Sequence, residues 1–280
     1  MDLELEGKNA IVTGGSKGIG KAIARELANE GVNIVIVARN KDLLNATARE
    51  LSKETNQRII PVICDTGNSE AVTKMVNIAI ENLNSIDILV NCAARPLGQS
   101  IEPLPSQTPD DHFWNDMNTK VLGYLRCIRE VVPYMKTKKW GRIINIGGLG
   151  SRSVGSTVGS IRNTAVVSMT KNLANELGQY GINVSAVHPG LTKTEAIEKK
   201  IEQEAIEKNI SIEKIEKQMS SVNPLGKIIT PLEIAHVVLF LASPKSISIT
   251  GDVITAGGGA GSAIYYYCLL YTSPSPRDRG

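Results

Sequence analysis

An open, doubly wound α/β sheet in a single domain is the fold that this 280-residue sequence predicts. Three observations carry the expectation. Seven short β-rich runs, most of them apolar on both faces, alternate with stretches whose apolar residues recur at helical spacing, as a parallel sheet covered on both sides requires. The first run leads straight into a glycine-rich loop that opens a helix. Neither an internal repeat nor a proline-rich linker divides the chain, and α/β chains of this length commonly form one domain.

The elements follow in order. "AIVTG" at 10–14 is the first strand, and "KAIARELANE" at 21–30 is an amphipathic helix behind it. "VNIVIVA" at 32–38, "IIPVIC" at 59–64 and "IDILVN" at 86–91 are the next three strands, rich in the β-branched residues that fit a pleated, buried surface. "RIINIG" at 142–147 and "INVSAVH" at 182–188 are the fifth and sixth, and "PLEIAHVVLFLAS" at 231–243 is a helix before the last strand, "DVITAG" at 252–257. This alternation is the Rossmann-type pattern.

Composition narrows the function classes. Apolar residues make up 42% and Asp, Glu, Lys and Arg 21%, a globular balance, and no run approaches the ~18 apolar residues of a membrane span. The start, "MDLELEGKNAIVTGG", lacks the basic-then-apolar profile of a signal peptide, which predicts a cytoplasmic protein. Cys64, Cys92 and Cys127 form no CxxC pair and have no histidines nearby, so buried thiols are expected rather than disulfides or metal ligands. The end, "CLLYTSPSPRD", resembles the translation of an adapter used in DNA library preparation. Residues 268–280 are therefore expected to be an extraneous tail, and setting its charges aside lowers the formal net charge from +3 to +2. So small a charge gives no case for nucleic acid or an anionic membrane as a partner.

The strongest motif is "TGGSKGIG" at 13–20. Gly14, Gly18 and Gly20 let the backbone turn tightly and approach a pyrophosphate, while the helix N-terminus supplies free N–H groups and partial positive charge. With "NCAA" at 91–94 after the fourth strand, "HPG" at 188–190 after the sixth, and "PLGKIITPLEIAHVVLFLAS" and "ITGDVITAGGG" near the end, this loop resembles the short-chain dehydrogenase/reductase family over residues 5–267. The resemblance implies a seven-stranded sheet, NAD or NADP, and hydride transfer to or from a carbonyl or alcohol of a small-molecule substrate. It also implies a homodimer or homotetramer. The domain is expected to span 1–267, with a helical lid at about 193–222.

Site residues are carried over position by position. Ser16, Lys17 and Ile19 join the three glycines in the dinucleotide loop. Ala38 stands where NAD-binding members usually carry an aspartate, and Arg39 follows it. Together with Lys17, Arg39 would hold a 2′-phosphate, which favours NADP over NAD; the alternative is that both are solvated surface charges. Asp65 and Thr66, at the end of the third strand, fall where the family holds the adenine, and Asn91 where it ties neighbouring strands beneath the cofactor. Ala93, Pro189, Gly190, Thr192 and Thr194 complete the expected cofactor contacts, and Ala94 replaces a usual glycine.

The reacting centre departs from the family. Its serine position falls on Gly147 or Gly148, its tyrosine on Gly159, its lysine on Asn163 and its asparagine on Lys120. Asparagine and lysine have exchanged places, as in a divergent branch of the family that this chain resembles. Lys120 and Asn163 are therefore the candidate catalytic residues. Against that stands a plainer alternative, a surface lysine and a helix N-cap asparagine. Ser151, Ser153, Ser156, Thr157 and Ser160, with Arg162 beside them, are the hydroxyls near the vacated positions. Tyr134 and Lys138 reproduce the four-residue spacing in "YMKTK" but follow Pro133 in a remote helix, and His188 is expected to be structural. In the Lys- and Glu-rich segment 194–219, Ile197, Ile201, Ala205 and Ile206 recur at helical spacing, and a mobile lid with isoleucines facing the pocket is expected.

The sequence thus predicts an atypical NADP-linked oxidoreductase. The alternative is a catalytically silent nucleotide-binding scaffold of the same fold. A nucleotide-sugar epimerase or dehydratase is disfavoured, because no separate substrate domain follows the sheet.

Overall fold

The computed structural model describes residues 1–94, 103–152 and 154–261. Ser153 and the expected tail at 268–280 lie outside the described residues. Among these, seven strands form one parallel sheet: β1 (Asn9–Thr13), β2 (Asn33–Ala38), β3 (Ile59–Ile63), β4 (Ile88–Asn91), β5 (Gly141–Ile146), β6 (Ile182–Pro189) and β7 (Val253–Ala256). Their order is β3-β2-β1-β4-β5-β6-β7. In register, Val12 pairs with Ile36 on one side and Val90 on the other, and β5 meets β6 at Ile144 and Ser185.

Residues along a strand alternate between two buried faces. Val12, Ile34, Ile36, Val90 and Ile144 pack under α1 (Gly18–Asn29) and α9 (Pro231–Ala242), where Ile23, Leu27, Ile234 and Val238 complete a core. Ile11, Val35, Val37, Leu89 and Ile143 face the other way, onto α3 (Ser69–Leu83), α5 (Gly123–Lys138) and α6 (Thr157–Leu177), through Val72, Met75, Ile128, Val131 and Leu177. Helix α2 (Lys41–Thr55) covers the β3 edge of the first layer.

Local chemistry sets the helix ends. Asn40 and Asn68 cap α2 and α3 by accepting from Leu43 and Ala71 N–H, and α9 begins with Pro231 inside a Thr230–Glu233 capping box. Before α5 the chain runs through α4 (Asp110–Met117) and then a π-helical turn, Asn118–Leu122, with Lys120 at its middle. Two further helices, α7 (Glu195–Lys208) and α8 (Ile212–Ser220), lie between β6 and α9.

This topology fixes where a ligand can sit. Strand order reverses between β1 and β4, so the loops at their carboxyl ends run to opposite faces and leave a crevice.

Candidate active site

The glycine loop joins β1 to α1 at this crevice. Gly14 and Gly15 N–H both donate to Val37 O, at 2.8 and 3.2 Å, which ties the loop to the end of β2. Gly14 has φ +70°, and a Cβ there would lie 2.9 Å from Cys92 O; a Cβ on Gly20 would lie 2.3 Å from Gly14 O. Only glycine fits either place. Lys17 is the N-cap of α1 and offers no side-chain acceptor to its first turn. Gly18 N–H instead donates to Glu195 Oε1 at 3.2 Å, so this helix end already holds an anion supplied by α7.

Around the loop, the expected cofactor residues gather at the carboxyl edge. Ser16 is buried and its carbonyl accepts from Thr47 Oγ1, while Ile19 is half-buried against the first core. Lys17 and Arg39 are exposed on neighbouring loops. Asp65 and Thr66 lie just beyond β3 rather than in it; Asp65 Oδ1 accepts from Gly67 N–H, and Thr66 is buried. Thr13 Oγ1 accepts from Cys92 and Ala93 N–H, joining β1 to the segment after β4. Asn91 Nδ2 donates to Asn145 Oδ1 at 3.0 Å, and Asn145 Nδ2 to Thr170 Oγ1, so Asn91 ties β4 to β5 and α6. Past β6, Pro189 and Gly190 run beside β7, and Gly190 has room only for hydrogen against Gly257. Thr192 Oγ1 donates to Gly190 O, and Thr194 brings its methyl against Gly18.

Lys120 and Asn163 meet at the centre. The π-turn aims the Lys120 side chain at the end of β5, where Nζ donates to Gly147 O at 2.9 Å and to Asn163 Oδ1 at 3.0 Å. Lys120 is only 4% exposed, and Ser156, not Asn163, caps α6, so the surface-lysine and N-cap alternatives both fail. Since an ammonium only donates, the contact fixes the amide: Oδ1 faces Lys120 while Nδ2 faces the glycine turn, 3.1 Å from where a Cβ on Gly148 would stand.

Charge around the lysine is unusual. Burial, and then the Arg162 guanidinium, bring its pKa down to about 7, with Asp116 acting the other way. Burial pushes the Cys92 thiol up to about 12, so it is neutral and does not balance the ammonium. The nearest carboxylate, Asp116, is taken by Arg162, whose Nη1 donates to both of its oxygens, one at 2.6 Å. Tyr124, also buried, donates to Ile146 O at 3.0 Å.

Comparison with known proteins settles the family. The model described as Enoyl-(Acyl carrier protein) reductase matches residues 14–261. The chain is 33% identical over 260 residues to the 3-oxoacyl-[acyl-carrier-protein] reductase FabG of Vibrio harveyi, covering 92% of this chain and 98% of that one. It belongs to the short-chain dehydrogenase/reductase family. The membership carries the class oxidoreductase and the Rossmann-type sheet. The Short-chain reductase protein NovJ of Streptomyces niveus is 32% identical over 251 residues, covering 89% of this chain and 92% of its own. Among solved structures, L-sorbose reductase from Gluconobacter frateurii, complexed with NADPH and L-sorbose, superposes with a TM-score of 0.89 at 27% identity, over 94% of this chain and 100% of that one.

The glycines that the sequence reading set at the short-chain dehydrogenase/reductase serine and tyrosine positions sit close against their neighbours. A Cβ on Gly147 would fall 2.4 Å from the His188 ring, so His188 fills the space beside it; His188 is buried at the end of β6 and its Nδ1 lies 3.2 Å from Ser151 Oγ. Gly159 sits in the first turn of α6, where a Cβ would meet the capping Ser156 Oγ at 2.8 Å. Ser160 Oγ bonds back to Ser156 O. Tyr134 and Lys138 are far off, Lys138 pairing with Asp87 at the start of β4.

One reading is corrected. The lid isoleucines do not face the pocket: Ile201 and Ala205 pack on Ile215 within the α7–α8 pair, and Ile206 is 80% exposed. Cys64 and Cys127 are buried, and Cys92 is partly exposed as a residue with its thiol buried. Two participants escaped the sequence reading. Asp116 precedes Lys120 by one helical turn, a spacing that could have flagged it. Glu195 reads in sequence as an ordinary first-turn acid; only the fold brings it to Gly18.

Proposed function

We propose that this chain is an NADP-linked oxidoreductase that interconverts a small carbonyl and its alcohol, with Lys120, held by Asn163, as the charge that faces the substrate oxygen. The observation that carries the reading is a buried ammonium, in no carboxylate's contact among the described residues, at the carboxyl edge of β5. Such a group is costly to bury, and its cost is hard to understand as a stability device. At a pKa of about 7 it is poised both to hold and to release a proton near neutral pH.

The residues fit the cofactor. A carboxylate on Gly18 N–H marks the α1 terminus as an anion site, and the glycine loop would hold the pyrophosphate there. Lys17 and Arg39, both exposed and in no ion pair among the described residues, would hold the 2′-phosphate, and Asp65 and Thr66 the adenine. Asn91, Ala93, Pro189, Gly190, Thr192 and Thr194 would line the nicotinamide end, with α7 and α8 as a lid. Bound nicotinamide supplies or takes the hydride. As a carbonyl is reduced, negative charge grows on its oxygen; Lys120 stabilises that charge and donates the proton, while Asn163 Nδ2, which faces the glycine turn from α6, offers a hydrogen bond. A homodimer or homotetramer in the cytoplasm accords with this reading.

The test is oxidation of NADPH across a panel of small ketones and aldehydes, beside calorimetric NADPH binding. Turnover of some member, cut at least ~10²-fold in kcat by Lys120→Ala with binding retained, supports the reading. Tight binding with no turnover of any member would make the chain a silent nucleotide-binding protein.

A further inference from the structure

The lysine–asparagine contact is joined by a second side-chain link between the same two segments. Asp116 and Lys120 lie one turn apart on α4 and the π-turn, and Arg162 and Asn163 are adjacent on α6. Asp116 grips Arg162 and Lys120 grips Asn163. We infer that Asp116 and Arg162 form a positioning pair for Lys120, fixing where its ammonium sits and, through the balance of their charges, how firmly it holds its proton. This inference rests on the reading of Lys120 as the charged group of the site.

The pair is built for position more than for stability. Its side chains are 7% and 8% exposed, and buried ion pairs of this kind are often replaceable by apolar residues at no loss. The grip is also incomplete, because one nitrogen, Nη1, serves both carboxylate oxygens and the buried Arg162 Nε has no acceptor among the described residues. A fork-to-fork pair would have satisfied it. What the arrangement does achieve is a guanidinium held beside Lys120 and a carboxylate held one turn away, at a π-turn whose extra residue turns the lysine inward.

Every titratable or charged neighbour enters the balance. Arg162 on α6 opposes protonation of Lys120 and Asp116, one turn away, favours it, while the Cys92 thiol after β4 is neutral. His188 on β6 stands behind Gly147, whose carbonyl takes one of the ammonium's hydrogen bonds, and Tyr124 on α5 is bonded to Ile146 O. Neutralising Asp116 leaves Arg162 unopposed, so Lys120 gives up its proton at lower pH. Neutralising Arg162 has the opposite effect. A pair that merely supported the fold would not move the two titrations in opposite directions.

The experiment follows the Lys120 Nζ signal by heteronuclear NMR in the full chain with isotope-labelled lysine, assigned by its loss in Lys120→Arg. Asp116→Asn is expected to lower the midpoint by about one unit and Arg162→Gln to raise it by a similar amount. Arg162→Lys keeps the charge in a milder replacement and should titrate within a few tenths of the parent, which keeps the test decisive where a neutral variant fails to fold. Midpoints that stay put, that move in the same direction, or an Arg162→Lys midpoint shifted by a full unit would overturn the inference. The proposed activity is judged separately: opposite shifts with Lys120→Ala still fully active in NADPH oxidation would leave the pair standing and remove Lys120 from the chemistry.

Discussion

Lys120 Nζ lies 3.0 Å from Asn163 Oδ1, a contact between residues 43 apart in the chain. The π-turn carries the ammonium and α6 the amide, and the fold brings them into contact. Stability and activity should both register it.

Stability should depend on pH through Lys120. Its pKa falls from 10.5 unfolded to about 7 folded, so above pH 7 the unfolded chain binds a proton that the folded one lacks, and stability rises with pH. Below pH 7 both states are protonated and the burial penalty is fully felt. Relative to Lys120→Met, the parent should gain on the order of 2 kcal/mol between pH 7 and 9 in urea unfolding. A constant difference across that window would show that Lys120 stays charged.

Lys138 belongs to the spacing that only imitates the family's tyrosine–lysine pair. Its partner Asp87 is buried, so Lys138→Ala should lower stability by about 1–2 kcal/mol while NADPH oxidation by the folded protein stays at the parental rate. Loss of kcat with unchanged melting would reverse this assignment.

Glu195 accepts from the Gly18 N–H, where the cofactor's pyrophosphate would sit in the proposed reading. Glu195→Gln removes the competing negative charge at the start of α1, and calorimetry should find NADPH bound ~2–5-fold more tightly. Weaker binding would mean that the carboxylate supports the cofactor instead of yielding to it.

Arg39 should discriminate between the cofactors. Arg39→Ala should weaken NADPH by ~10-fold or more and leave NADH nearly unchanged, because only the former carries a 2′-phosphate. Equal losses for both would place Arg39 elsewhere on the cofactor.

A serine should return to the glycine turn at one position only. At Gly147 it meets the buried His188 ring at 2.4 Å, and Gly147→Ser should cost ~2 kcal/mol or more. At Gly148 the nearest atom is Asn163 Nδ2 at 3.1 Å, a contact relieved by a few tenths of an ångström, so Gly148→Ser should cost under ~1 kcal/mol. Similar melting temperatures for the two variants would contradict this difference.

The sequence by itself determined the sheet and the dinucleotide loop. Both are written locally: all seven strands fall on the apolar runs read from the chain, and Gly14 and Gly20 sit where a Cβ would strike Cys92 O and Gly14 O. Periodicity and close approach depend on neighbours along the chain, so they survive in one dimension. Lys120 and Asn163 could be picked out in the chain, but only as two separate positions. Tertiary structure alone decided that the two touch, that Asp116 holds Arg162 beside them, that Glu195 reaches Gly18 and that the lid isoleucines pack on one another. Each of those depends on how helices are set against one another in space, most of them distant in sequence. The cost of burying a charge, and hence the lysine's lowered pKa, exists only once the surrounding elements have excluded water.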